Sequence, residues 1–163
     1  MLTLYIVRHA KSDWANAHIS DIDRPLNERG YRDATAMSIL LKTQNIRPDL
    51  ILSSPAVRAL STALIFSRTL NYDSNKIQIH KTLYNTDEEN YLSIIEESAG
   101  KSNSIMIFGH NPVVSSLANK LSGVINEEMP TCSIIGIKFK TDKWEEIVKK
   151  ESELILFDFP KKI

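Results

Sequence analysis

LTLYIVRH, residues 2–9, is a short run of apolar and β-branched side chains that ends in an arginine and a histidine. Such a run predicts a buried strand over residues 2–7, with Arg8 and His9 directly after its carboxyl end. Two later segments repeat this order of strand and polar turn. The predicted strand 49–52 leads into Ser54 and Pro55, with Arg58 one turn further along, and the predicted strand 104–108 leads into Gly109 and His110.

Helical periodicity separates these strands. Helices are predicted from Asn27 to about Gln44, from Ser54 onward, over 88–99 and over 113–121, with Asn27 and Ser54 as the N-caps of the first two. Their core-facing side chains are expected to include Tyr31, Ala34, Met37 and Leu41 in the first helix and Val57, Leu60, Leu64 and Phe66 in the second. Further strands are predicted at 77–79, 134–140, 144–148 and 154–159. This alternation predicts a single α/β domain over residues 1–163, a three-layer α/β/α sandwich with a mostly parallel central sheet.

Composition and charge exclude several classes of protein. The chain has 163 residues, 42% hydrophobic and 25% charged, which suits one globular domain with a substantial core. Its 20 basic and 20 acidic residues cancel, and this balance argues against a general nucleic-acid binder. The single cysteine excludes an intrachain disulfide. We find no signal-peptide pattern and no apolar run of about 20 residues, so we expect a cytoplasmic protein without a membrane span.

The three polar turns are expected to meet, because α/β sheets bind ligands at the carboxyl ends of their strands. Arginine forks match phosphate oxygens, and helix N-termini add free N–H donors. A neutral imidazole beside this positive charge is a competent nucleophile toward phosphorus. The residues therefore predict an anion site in which His9 attacks while Arg8, Arg58 and a protonated His110 hold the phosphoryl group. Phosphate binding without turnover stays open at this point.

These motifs resemble the histidine phosphatase superfamily, also called phosphoglycerate mutase-like. Its strand and Arg-His-Gly signature is similar to LYIVRHA at 4–10, where Ala10 replaces the common glycine. Its Ser-Pro-x-x-Arg-x-x-x-Thr-Ala segment is similar to 54–63, and its second histidine to GHNP at 109–112. The resemblance covers essentially the whole chain. It implies a phosphorylated intermediate on His9, a phosphate pocket of Arg8, Arg58 and His110, and no metal ion or other cofactor.

Three further stretches resemble the SixA-like phosphohistidine phosphatases within that superfamily. They are RHAKSDW at 8–14, DRPLNERG at 23–30 and MPT at 129–131. Lys11 stands where the mutases usually carry glutamate. This subgroup implies a phosphorylated substrate, and a signalling protein that carries phosphohistidine is the expected one.

The polar loop 11–24 supplies candidates for the rim of the pocket. Lys11, Ser12 and Arg24 would extend its positive charge, with a solvated loop as the alternative. A loose oxygen-rich pattern in this loop lacks the spacing of a metal site; it consists of His18, Asp21 and Asp23. We therefore predict no metal ligands.

The leaving-group acid of many family members has no counterpart at its expected place, since residues 83–85 contain no carboxylate. Asp87, Glu88 and Glu89 follow closely and are candidate acids, although carboxylates also favour the start of a helix. Without an acid, an imidazole leaves phosphorus more readily than an alkoxide does. The gap therefore favours phosphohistidine as substrate. The alternatives are a broad phosphomonoesterase for small molecules and a phosphate-binding module without turnover.

Overall fold

The sequence run that ends in Arg8 and His9 forms a central strand of the sheet. The computed structural model describes residues 1–160. In chain order its strands and α-helices are β1 (Leu2–Arg8), α1 (Glu28–Thr43), β2 (Leu50–Ser53), α2 (Val57–Thr69), β3 (Gln78–Ile79), α3 (Glu88–Ser98), β4 (Ser104–Gly109), α4 (Val113–Ser122), β5 (Ile134–Phe139) and β6 (Ser152–Asp158). Within residues 1–160, none of the helices is both long enough and apolar enough to cross a membrane.

The six strands form one mixed sheet in the order β3-β2-β4-β1-β5-β6. The first four strands of that order pair in parallel, whereas β5 and β6 are antiparallel to their neighbours. Arg8 lies opposite Gly109 and Ser53 lies opposite Phe108, so β1, β2 and β4 end at the same level. The mostly parallel α/β sheet predicted from the sequence is confirmed, with the antiparallel pair confined to one side.

Both faces of the sheet are buried, as a three-layer fold requires. Alternate residues of β1 show this, because Leu4 and Ile6 join one core cluster while Tyr5 and Val7 join the other. The first cluster includes Tyr91 and Ile95 of α3 and Val114, Leu117, Ala118 and Leu121 of α4. The second includes Ala34, Met37 and Leu41 of α1 and Ala63 and Phe66 of α2. The sheet therefore carries one pair of helices on each face.

Two core predictions were wrong in detail. Tyr31 is 51% exposed, because Gly30 rather than Tyr31 lies on the buried face of α1, one turn before Ala34. In α2 the small residues Ala59 and Ala63 face the core, which lets the helix lie close to its neighbours. The larger side chains that we expected there are only half-buried; they are Val57, Leu60 and Leu64.

The strand predicted at 144–148 is instead a 3₁₀ turn, Trp144–Glu146. Trp144 and Ile147 are both buried, and a spacing of three residues puts them on one side of a helical turn rather than on opposite faces of a strand. The Trp144 indole N–H also donates to the Ser102 carbonyl at 2.7 Å. Because residues 144–146 form a turn and not a strand, β5 pairs with the next strand along the chain, β6.

Candidate active site

The carboxyl ends of β1, β2 and β4 enclose a pocket of about 310 Å³. The four residues proposed as its core, together with the three proposed as its rim, all line it: Arg8, His9, Arg58, His110, Lys11, Ser12 and Arg24. Trp14, Asn111 and Thr131 complete the lining. The structure thus brings together residues from four separate stretches of sequence.

His9 is held in one tautomer by its neighbour. Its Nδ1 donates a hydrogen bond to the Ala10 carbonyl at 2.7 Å, which leaves the lone pair on Nε2. Burial lowers the pKa of His9 to about 3, and the nearby His110, Arg58 and Arg8 add to this effect. His9 is therefore neutral at neutral pH, the state that a nucleophilic imidazole needs.

Helix α2 anchors the turn that carries His9. The Thr62 hydroxyl accepts from the Ala10 N–H at 3.0 Å and donates to the Arg58 carbonyl at 2.7 Å. The helix begins at Val57 with Ala56 as its N-cap, so our prediction of Ser54 in that role was two residues early. The Ser54 hydroxyl accepts from the Ala56 N–H at 3.2 Å instead. It is thereby placed within reach of His110.

His110 faces His9 across the pocket, with 5.2 Å between the ring centroids. Its Nε2 lies 2.7 Å from the Ser54 hydroxyl, and its backbone N–H donates to the Tyr91 hydroxyl at 3.3 Å. Burial, followed by the charge of Arg58, lowers the pKa of His110 to about 4. The protonated form expected from the sequence therefore requires added negative charge nearby, such as a phosphoryl dianion.

Both pocket arginines have fixed partners. Arg8 donates through Nη1 to the Met129 carbonyl at 2.8 Å, and burial lowers its pKa while Glu128 opposes that shift. Arg58 is only 6% exposed and donates twice to Asp21, from Nη1 to the carbonyl at 2.6 Å and from Nη2 to Oδ2 at 3.0 Å. A guanidinium has five N–H donors, so each arginine keeps donors for a ligand.

At the rim of the pocket, the buried side chain of Arg24 lies beneath the exposed indole ring of Trp14. Arg24 donates from Nη1 to the Ser12 hydroxyl and from Nη2 to Asp21 Oδ1 at 2.9 Å. Its Cζ atom lies 3.5 Å from the centroid of the Trp14 ring. Trp14 itself is 71% exposed at the mouth of the pocket. The Arg24 guanidinium is therefore held both by the Trp14 ring on its face and by the Asp21 carboxylate at its edge.

The three candidate acids do not lie in the pocket. The Asp87 side chain accepts from the Asn90 N–H at 3.0 Å and caps α3. Glu88 and Glu89 lie 3.7 Å and 3.1 Å from the Lys120 ammonium. The geometry therefore favours the alternative interpretation of these candidate acids, because all three carboxylates have partners at the start of α3.

Asp21 and Tyr84, whose roles the sequence reasoning missed, contact the residues of the pocket instead. The Tyr84 hydroxyl donates to Asp21 Oδ2 at 2.6 Å, and its ring packs edge-on against His110 with 5.5 Å between centroids. No spacing rule links residues so far apart in the chain, although Asp21 precedes the Arg24-Pro25-Leu26 stretch that the family resemblance used.

The residues that the structure describes contain no cluster of three or more His, Cys, Asp or Glu side chains suited to a metal ion.

Comparison with known proteins agrees with this geometry. The sequence profile of the histidine phosphatase superfamily (branch 1) matches residues 4–91, the part of the chain that holds Arg8, His9 and Arg58. An uncharacterised protein of Mycobacterium leprae is 27% identical over 95% of this chain and 100% of its own length. An uncharacterised chloroplastic protein of Arabidopsis thaliana is 28% identical over 88% of this chain and 69% of its own.

Solved structures extend the likeness to nearly the whole chain. A protein of Agrobacterium tumefaciens, assigned as the phosphohistidine phosphatase SixA, superposes with a TM-score of 0.83 and 31% identity, covering 98% of both chains. The protein histidine phosphatase SixA in complex with tungstate superposes with a TM-score of 0.79 and 21% identity, covering 97% of both chains. The chain therefore belongs to the histidine phosphatase superfamily and is SixA-like in structure.

Proposed function

We propose that this phosphatase removes phosphate from protein phosphohistidine through a covalent intermediate on His9, without a metal ion. The observation that carries the proposal is the hydrogen bond from His9 Nδ1 to the Ala10 carbonyl. It directs the lone pair of Nε2 away from the backbone in a pocket lined by Arg8, Arg58 and His110. A neutral nucleophile surrounded by phosphate-binding cations is what phosphoryl transfer requires.

The first step transfers the phosphoryl group between two imidazoles. His9 Nε2 forms a bond to phosphorus as the bond from phosphorus to the substrate nitrogen breaks, and the leaving imidazole keeps the electron pair. That imidazole leaves neutral when its other nitrogen carries a proton. The bond formed and the bond broken are of the same kind, so this step needs little help from an acid.

The second step is hydrolysis of the intermediate. Water attacks phosphorus, the bond to His9 Nε2 breaks, and the proton released by water passes to the departing phosphate or to solvent. In both steps Arg8, Arg58 and His110 would neutralise the equatorial oxygens. A phosphoryl dianion also favours protonation of His110, which then donates a charge-assisted hydrogen bond.

The charge state of Asp21 supports a nitrogen-linked substrate. Hydrogen bonds from Tyr84 and Arg24, together with the charge of Arg58, hold the pKa of Asp21 far below its usual range. Its carboxylate is thus ionised at neutral pH and unable to protonate an alkoxide. Among the described residues that line the pocket, the side chains are cationic, neutral or aromatic, and none is a carboxylate.

The deciding experiment measures phosphate release from a phosphohistidine-bearing protein and from a simple phosphomonoester. We expect turnover of the first substrate, unchanged by a metal chelator, and its loss in His9→Ala. His18→Ala is the matched control, because His18 is an exposed histidine outside the pocket. Rapid alkaline quenching of the wild type during turnover should trap a phosphoryl group that is stable to base and absent from His9→Ala.

Other outcomes would replace the proposal. Release from the monoester alone would identify a broad phosphomonoesterase, and phosphate binding without release from either substrate would identify a binding module. Turnover that the chelator abolishes would contradict the metal-free mechanism. The cytoplasmic location, and the expectation of neither nucleic acid nor membrane as partner, stay predictions of the sequence.

A further inference from the structure

One carboxylate connects the pocket cations. The Asp21 carboxylate receives three side-chain hydrogen bonds at 2.6–3.0 Å, one each from Arg24, Arg58 and Tyr84, and the Asp21 backbone carbonyl receives a second bond from Arg58 at 2.6 Å. These partners come from the loop after β1, from α2 and from the turn before α3. In residues 1–160, Asp21 alone forms salt bridges with the pocket arginines. Asp21 therefore ties together three segments that are distant in sequence.

Asp21 lies beside the pocket without lining it. It takes one N–H from each terminal nitrogen of Arg58, which leaves other donors of that guanidinium for a ligand. Tyr84 extends its reach to His110, since the same tyrosine bonds Asp21 and packs against the His110 ring. Asp21 thus acts on two arginines directly and on one histidine through an aromatic ring.

We propose that Asp21 is a positioning residue for phosphoryl binding and transfer, which orients Arg58 and Arg24 directly and His110 through Tyr84. The inference rests on the proposed function only in assigning phosphoryl binding to this pocket. A freely rotating arginine must lose side-chain entropy when it grips an oxyanion, whereas a clamped one has lost it already. Asp21 therefore makes the anion pocket ready before the ligand arrives.

A positioning role and a simple charge effect predict opposite changes in phosphate affinity when Asp21 is replaced by asparagine. Asp21→Asn removes a negative charge close to an anion pocket, and by Coulomb's law alone phosphate should then bind more tightly. If Asp21 positions the arginines, its loss should weaken phosphate binding, because Arg58 and Arg24 lose charge-assisted bonds that fix their orientation. The direction of the change separates the two explanations.

The pH dependence offers a second test. The charged or titratable groups that face Asp21 are Arg24, Arg58 and Tyr84, with His110 beyond them. The negative charge of Asp21 raises the pKa of His110 against the larger effect of burial. Without that charge, protonated His110 would be lost at lower pH. The fall of kcat at the basic side should then begin at lower pH in Asp21→Asn.

The experiment measures the affinity for inorganic phosphate by calorimetry, and kcat and KM against pH. We expect Asp21→Asn to bind phosphate about tenfold more weakly, as loss of a charge-assisted bond implies. Asp21→Glu should recover part of the loss. Asp23→Asn is the matched control, because Asp23 is an exposed neighbour that accepts only from the Ser20 hydroxyl.

Tyr84→Phe supplies a second variant in case Asp21→Asn folds poorly. It removes the hydroxyl bond to Asp21 but keeps the ring against His110, and it should weaken phosphate binding to a smaller extent. Equal or tighter phosphate binding by a folded Asp21→Asn would overturn the proposal, as would an equal loss in Asp23→Asn. Phosphate affinity can be measured without turnover. A wild type that binds inorganic phosphate but hydrolyses neither phosphorylated substrate would therefore refute the proposed function and leave the role of Asp21 testable.

Discussion

Replacing Gly109 by alanine would test whether the packing behind the pocket fixes His110. Gly109 ends β4, and an added Cβ would overlap the Tyr91 hydroxyl and lie 2.8 Å from two of its ring carbons. Tyr91 is fully buried, and its hydroxyl donates to the Leu83 carbonyl at 2.9 Å and accepts from the His110 N–H at 3.3 Å. The ring therefore cannot retreat without losing both hydrogen bonds.

Overpacking and the loss of the two Tyr91 hydrogen bonds together set the expected decrease in the free energy of unfolding. Overpacking of a core costs about 1–3 kcal/mol, and each neutral hydrogen bond contributes about 1 kcal/mol. We expect Gly109→Ala to lower the free energy of unfolding by about 3–5 kcal/mol, measured by urea denaturation, which for a chain of this size lowers Tm by roughly 6–20 °C. Phosphate release should fall as well, since His110 moves with Tyr91.

Two variants separate the clash from other effects of a new side chain. At Gly100 a Cβ would meet nothing within 4 Å, so Gly100→Ala should cost only the strain of its φ of +54°, about 1 kcal/mol. Tyr91→Phe removes the atom nearest to the new methyl group, so Gly109→Ala should cost less in that background than in the wild type. A Gly109→Ala protein within about 0.5 kcal/mol of wild type would refute the argument.

Two further predictions concern the histidines and the tryptophans. The pKa values of His9 and His110, about 3 and about 4, lie below the value near 6.5 of an unfolded chain, so the unfolded state binds more protons and stability should be lost as pH falls from about 6.5 toward 4. His9→Asn should reduce that slope by up to about 1.4 kcal/mol per pH unit in urea titrations, and an unchanged slope would contradict the assignment. Of the two tryptophans Trp14 is exposed at the pocket whereas Trp144 is 6% exposed, so inorganic phosphate should change the fluorescence, and Trp14→Phe, but not Trp144→Phe, should abolish that response.

The core of the site was predictable because each member sits next to a strand end. Arg8 and His9 follow one apolar run and His110 follows another, and parallel strands in register bring such ends together. Arg58 was within reach of the same argument, since it lies in the first turn of the helix after β2. What the sequence left open was the order of the strands, which the register of Arg8 with Gly109 supplies.

The parts that sequence reasoning missed depend on contacts between distant segments. Asp21 and Tyr84 meet across 63 positions, and neither has a periodicity or a motif that points to the other. Ser54 looked like a helix cap because caps favour serine, yet its hydroxyl lies against His110 and the helix begins later. Asp87, by contrast, carries the same local signal and does cap its helix. Local patterns therefore predict a role only where no tertiary contact competes for the same atom.

The charges around the pocket would let one set of residues serve both the phosphate binding and the nucleophilic attack that we propose. Arg8, Arg24 and Arg58 carry three positive charges and Asp21 one negative, so these four residues together carry a charge of two, to which the pocket-lining Lys11 adds one positive charge and Glu128, which acts on Arg8, one negative. Two protonated histidines would double that charge inside a partly buried site, which burial and the arginines prevent. Burial first, and the nearby arginines second, thus keep His9 deprotonated, which is the state that the proposed attack requires. Under the proposed mechanism, an entering dianion would offset the positive charge around His110 and favour its protonation, so that His110 could donate a charge-assisted hydrogen bond to the phosphate, while the Ala10 carbonyl would keep the His9 proton on Nδ1 and the lone pair on Nε2.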